Sequence, residues 1–151
     1  MKVIALFGRG NTGKTRCLGH LINLINNEEN MGDYLKVGKD ARVTLKYRGK
    51  RITICTWGDN EYEEGLNIDK IRQDISDIAV VATRTKGGTV EIVRQFCEKE
   101  MGCPLKWVEK YVASFNGEAG QAFMNNLQAE QIMEYIKEIM KLELVGGTEM
   151  E

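Results

Sequence analysis

The sequence predicts a three-layer α/β fold whose sheet is mostly parallel, with one antiparallel edge strand. Three observations carry this. Two short, continuous apolar runs, residues 3–7 and 78–82, have the character of central strands covered on both faces. Each is followed by a glycine-containing turn and then by apolar residues at helical spacing. Between them, residues 42–47 alternate in polarity and lead through a short turn into a second strand over 51–56, a hairpin. Strands alternating with helices place helices on both faces of a parallel sheet, and the hairpin supplies the antiparallel edge.

In chain order, the strand over 3–7 meets a glycine-rich segment, 8–13, and then a helix over 14–26 with Cys17, Leu18, Leu21, Ile22, Leu24 and Ile25 as its apolar side. Residues 27–40 are polar, contain Gly32 and Gly38, and read as a surface loop. Val43, Leu45 and Tyr47 share one face of the next strand, and Gly49-Lys50 reads as a type II′ turn. Residues 62–73 are acidic, then mixed, and predict a loop and a short helix. After the strand over 78–82, Thr89 is the expected N-cap of a helix carrying Val90, Ile92, Val93, Phe96 and Cys97, closed by Met101-Gly102. Pro104 favours a strand over 105–113, and 121–142 is the longest helix. Residues 1–145 are read as one domain and 146–151 as a short, disordered acidic tail.

Composition narrows the function. A chain of 151 residues with 42% apolar and 28% charged content has the make-up of one ordinary soluble domain. The net charge of −1 creates no overall pull toward nucleic acid or membrane. Arg42, Lys46, Arg48, Lys50 and Arg51 crowd the hairpin and read as a solvated tip rather than a nucleic-acid patch. His20 is the single histidine and the cysteines at 17, 55, 97 and 103 have the wrong spacing for zinc. Reduced thiols and a cytoplasmic location are expected. The apolar run near the N-terminus is too short for a signal-peptide core or a bilayer span.

The chemistry concentrates in residues 8–15, Gly-Arg-Gly-Asn-Thr-Gly-Lys-Thr, between a strand and a helix. A triphosphate needs many donors in a small concave space. Gly8, Gly10 and Gly13 let the backbone curl so that its N–H groups approach phosphate oxygens. Arg9, Asn11, Thr12 and Arg16 complete the expected nucleotide-binding segment. The helix starting near Gly13 adds the positive end of its dipole. Lys14, expected as a solvent-facing charge, would bridge the β- and γ-phosphates, and Thr15 would offer its hydroxyl to Mg²⁺.

This octapeptide resembles the phosphate-binding loop, the Walker A motif, of P-loop NTPases. The resemblance implies the P-loop NTPase fold, a nucleoside triphosphate (ATP or GTP) and Mg²⁺ as cofactor. The order of elements loosely resembles the Ras-like GTPases, but two positions depart from them. Cys55 stands where those proteins carry an aspartate on the metal side, and Thr83-Arg84-Thr85-Lys86 lacks the carboxylate that reads guanine. ATP is therefore favoured. Gly58 is placed to donate its N–H to a γ-phosphate. Asp59 is the leading candidate for a Walker B-like carboxylate acting through a metal-bound water, with its strand beside the first. Gly-Asp-Asn is equally good turn chemistry. Asp33 and Asp40 are weaker candidates, and Asp77 lies at the wrong end of its strand. Arg84 and Lys86, at the end of a buried strand, would meet the transferring phosphoryl group or hold a second phosphorylated substrate. Trp57 and Trp107 read as packing.

The function expected is an ATP-binding NTPase, with Lys14, Asp59 and Arg84 as catalytic residues. A small nucleoside or nucleotide kinase is the first alternative. A Ras-like or non-catalytic nucleotide-binding module acting through a protein partner is the second.

Overall fold

The computed structural model describes residues 1–31 and 38–150, and for 144–150 the backbone alone. Its strands are β1 (Lys2–Phe7), β2 (Arg42–Tyr47), β3 (Lys50–Cys55), β4 (Ile78–Thr83) and β5 (Leu105–Glu109). Its helices are α1 (Lys14–Glu28), α2 (Glu61–Gln73), α3 (Gly88–Gln95) and α4 (Gly117–Met150), with a π-helical turn, Phe96–Met101, continuing α3. The sheet order is β2-β3-β4-β1-β5, and only the edge pair β2–β3 is antiparallel. The predicted mostly parallel sheet with one antiparallel edge is what forms.

Alternation along the strands builds the three layers. Ile4, Leu6, Val80, Ala82, Ile52 and Ile54 face α1 and α4, meeting Leu18, Leu21, Ile25, Ile132 and Ile136. Val3, Ala5, Ala79, Val81 and Cys55 face the other way, toward Ile68, Ile71, Val93 and Phe96. Every residue of β4 is buried, as its unbroken apolar run requires.

Several local expectations are corrected. The hairpin turn is Arg48-Gly49, not Gly49-Lys50; both have positive φ (50° and 81°), and Tyr47 pairs with Lys50. That is the signature of a type I′ turn, whose twist matches the flanking strands. Residues 61–73 form a full helix because Asn60 caps it, accepting from the Glu63 N–H at 2.9 Å, while Lys70 and Arg72 close its last turn. Thr89 does not cap α3; Gly87 holds that position, and the Thr89 hydroxyl accepts from the Arg84 N–H at 3.0 Å. Gly102 closes the π turn with left-handed backbone, as expected. The strand after Pro104 stops at Glu109. Helix α4 starts earlier than expected and continues through residues 146–150, where a tail was expected.

The parallel strands β1, β3, β4 and β5 all finish at one sheet edge, and the hairpin turn lies at the opposite edge. The basic tip is therefore remote from residues 8–15. Arg42 is not part of a solvated tip at all; it pairs with Glu63 and Asn67 and lies 5.4 Å from the Trp57 ring centre. Strand β3 is not beside β1, as expected for the strand leading to Asp59, because β4 lies between them. Among the described residues, no helix is long and apolar enough to cross a membrane.

Candidate functional site

The loop after β1 turns back on itself where its glycines demand it. Gly13 has φ +93°, and a Cβ there would lie 2.5 Å from the Asn125 side-chain oxygen. A Cβ on Gly10 would lie 2.8 Å from the Arg84 guanidinium. Helix α1 begins directly after, with Cys17 N–H bonded to Gly13 O at 2.9 Å. The Thr12 hydroxyl donates to Arg9 O at 2.8 Å, and the Gln121 amide donates to Thr12 O at 3.1 Å. Asn11, Thr12, Gly13, Lys14, Thr15 and Arg16 line a cavity of about 330 Å³ with Gly38, Asp59, Gln121 and Asn125.

Lys14 is not the solvent-facing charge expected; it is 6% exposed. Its ammonium donates to Gly8 O (2.6 Å) and Arg9 O (3.2 Å) and sits 3.7 Å from Asp59 Oδ1. Burial lowers its pKa, with the Asp59 carboxylate opposing that and the Arg84 charge adding to it. Asp59 also meets Arg84 Nε at 3.3 Å, so one carboxylate neutralises two cations. The Thr15 hydroxyl meets a different acid. It lies 2.9 Å from Asp40 Oδ1 and 3.3 Å from Thr56 O. Asp40, the weaker candidate from sequence, thus shares the hydroxyl chosen as metal ligand, whereas Asp59 stands on the lysine side. Asp33 lies outside the described residues. Asp77 accepts from the Arg51 N–H at 2.8 Å near the hairpin and plays no part here. Among the described residues, no group of three or more His, Cys, Asp or Glu side chains is arranged to hold a metal.

Gly58 is needed for close backbone approach: a Cβ there would lie 1.8 Å from Ala82 O. Lys86 and Arg9, both expected at the nucleotide, do not line the cavity with Lys14. They line a separate cleft of about 530 Å³ with Arg84 and Thr85. Trp57 packs on Arg42, and Trp107 meets Phe7 edge-on at 6.2 Å between ring centres.

Sequence reasoning missed Glu64. It is fully buried in the first turn of α2, where Oε1 accepts from Asn67 at 3.0 Å. Its Oε2 is buried without a hydrogen-bond partner among the described residues, 2.8 Å from where a Gly58 Cβ would stand. Burial pushes its pKa up to about 8, against the pull of the Asn67 hydrogen bond and of the Arg42 and Lys14 charges. The signal was present in the periodicity: positions 64, 67, 68 and 71 form one buried face of α2.

A consequence for stability follows by linkage. The folded protein holds the Glu64 proton up to about pH 8, whereas the unfolded chain releases it near the ordinary value of 4.5. Stability therefore falls as pH rises between those values and levels off above them. Glu64→Gln is expected to flatten that slope and to raise stability at pH 7 by up to about 3 kcal/mol. Urea melts of both proteins from pH 5 to 8.5 measure it; parallel slopes would refute the buried neutral carboxyl.

The four cysteines are free, and burial pushes the thiols of Cys17, Cys55 and Cys97 up to about 12. These are not poised nucleophiles. No protein-family model, curated protein or solved structure matches the chain.

Proposed function

We propose that this chain is a P-loop NTPase that binds ATP with Mg²⁺ through residues 8–15 and hydrolyses its terminal phosphoanhydride. The observation that carries this reading is the glycine loop between β1 and α1, with Lys14 folded back over it. In this reading the loop N–H groups and the start of α1 take the β- and γ-phosphates. Lys14 exchanges its bonds to Gly8 and Arg9 for phosphate oxygens. Thr15 and Asp40 present adjacent oxygen donors, 2.9 Å apart, which suits a hard cation such as Mg²⁺. That ion would neutralise charge on the phosphate oxygens. Arg84 faces the charge that develops on the transferring group, tethered by Asp59. Glu64, protonated and fully buried behind Gly58, takes no part in the proton transfer in this reading; its role is to pack the connection from β3 to α2.

Free phosphate released from MgATP and MgGTP tests the reading. Turnover of ATP equal to or above that of GTP is expected, because Thr83–Lys86 carries no carboxylate to read guanine. A GTP preference of roughly 10⁴ would show that another group reads the base. No turnover of either nucleotide, with binding intact, would leave a non-catalytic module.

The Arg84 role has its own outcome. Arg84→Ala is expected to lower the single-turnover rate by at least about tenfold while changing nucleotide affinity less. Collapse of affinity with an unchanged rate would make Arg84 a ground-state phosphate ligand.

Phosphoryl transfer to a second substrate is the alternative, and the cleft of Arg9, Arg84 and Lys86 favours it.

A further inference from the structure

Beside the loop cavity three cations gather, two of them without an ion pair among the described residues. Arg9, Arg84, Thr85 and Lys86 line a cleft of about 530 Å³. Arg9 and Lys86 are exposed, and neither forms an ion pair among the described residues. Asp59 is the carboxylate nearest to Arg84, and it is shared with Lys14. The start of α3 does not contribute a free N-terminus, because the Glu61 carboxyl packs on Gly88, 2.2 Å from its Cβ position. The anion-attracting groups are therefore the three side chains themselves, of which Arg84 alone is ion-paired among the described residues, to an Asp59 that it shares with Lys14.

Arg84 joins this cleft to the loop. Its guanidinium lies against Gly10, 2.8 Å from the Cβ position, while the same side chain forms the cleft wall. An anion held by Arg9 and Lys86 would therefore stand next to a terminal phosphate cradled by residues 8–15. Exposed guanidinium and ammonium groups around an open cleft suit a phosphate dianion, which accepts several charge-assisted hydrogen bonds at once.

We propose that Arg9, Arg84 and Lys86 bind the phosphate group of a second ligand, beside the nucleotide's own phosphates. The proposal takes its neighbour, though not its binding groups, from the nucleotide reading. Two sources share this chemistry: a phosphomonoester that enters as phosphoryl acceptor, and inorganic phosphate on its way out after hydrolysis.

Calorimetric titration of the full chain, saturated with a non-hydrolysable MgATP analogue, tests it. Ribose 5-phosphate and inorganic phosphate are the two probes. Binding is expected in the presence of the analogue, weakened about tenfold by Arg9→Ala and by Lys86→Ala, and kept by Lys86→Arg. The arginine variant separates loss of charge from loss of fold. Tighter binding of ribose 5-phosphate identifies an acceptor site; equal binding of both probes identifies an exit site for phosphate. Competition between either probe and the analogue, or indifference to Arg9 and Lys86, would overturn the proposal. If the analogue itself fails to bind, the nucleotide reading falls. Phosphate binding that depends on Arg9 and Lys86 and survives Lys14→Met would still support the cleft.

Discussion

Lys14→Met is expected to abolish stabilisation by MgATP while the protein stays folded. At a nucleotide concentration one hundred times the dissociation constant, binding stabilises a protein by about 2.7 kcal/mol. For a domain of this size that corresponds to a rise in melting temperature of roughly 5–10 °C, which the variant should lack. Methionine keeps the length of the buried stem but cannot bond Gly8 O or Arg9 O. Its basal melting temperature should move far less, because losing those bonds is offset by no longer burying a charge. Asp59 retains Arg84 at 3.3 Å, so no carboxylate is left alone. Thermal melts with and without MgATP decide it. An equal nucleotide shift in both proteins would remove residues 8–15 from the site.

The second large effect concerns Gly58→Ala, which should destabilise the protein by about 3 kcal/mol or more. The added Cβ would lie 1.8 Å from Ala82 O and 2.8 Å from Glu64 Oε2. Neither neighbour can yield cheaply. Ala82 is fully buried in β4 and registered with Leu6 of β1, and the Glu64 carboxyl is walled in. Gly65→Ala is the control, since nothing among the described residues lies within 4 Å of that Cβ position. In a helix interior this change should stabilise by about 0.5–1 kcal/mol. Urea melts of the two variants give opposite signs if the packing is as described. A Gly58→Ala protein as stable as the parent would mean that the connection from β3 to α2 is not seated against β4.

Much of the architecture was legible because it depends on local pattern. Residues 3–7 and 78–82 announce central strands by unbroken apolarity, and the alternation over 42–47 announces an edge. The octapeptide announces its loop because few other uses place three glycines and Lys-Thr between a strand and a helix. What pattern could not show is adjacency. That β4 separates β1 from β3 is a fact of pairing between segments distant in sequence. It decides which acid meets which partner: Asp59 reaches Lys14 and Arg84, and Asp40 reaches Thr15. Burial of Lys14 was missed for a similar reason. Its cover comes from the loop's own carbonyls folding back, which no periodicity records. Glu64 escaped notice because a carboxylate in a helix first turn usually serves the dipole in solvent. Here the turn is pressed under Gly58 and Asn67.

The contact between α4 and the loop has a consequence for communication through the molecule. Gln121 bonds Thr12 O and Asn125, while Asn125 fills the space a Cβ on Gly13 would need. The same helix carries Phe123 and Leu127 exposed on its outer side. Under the proposed nucleotide reading, any free energy that binding put into re-seating Gln121 and Asn125 would change the affinity of a partner that gripped α4. By thermodynamic reciprocity, such a partner would change nucleotide affinity by the same factor.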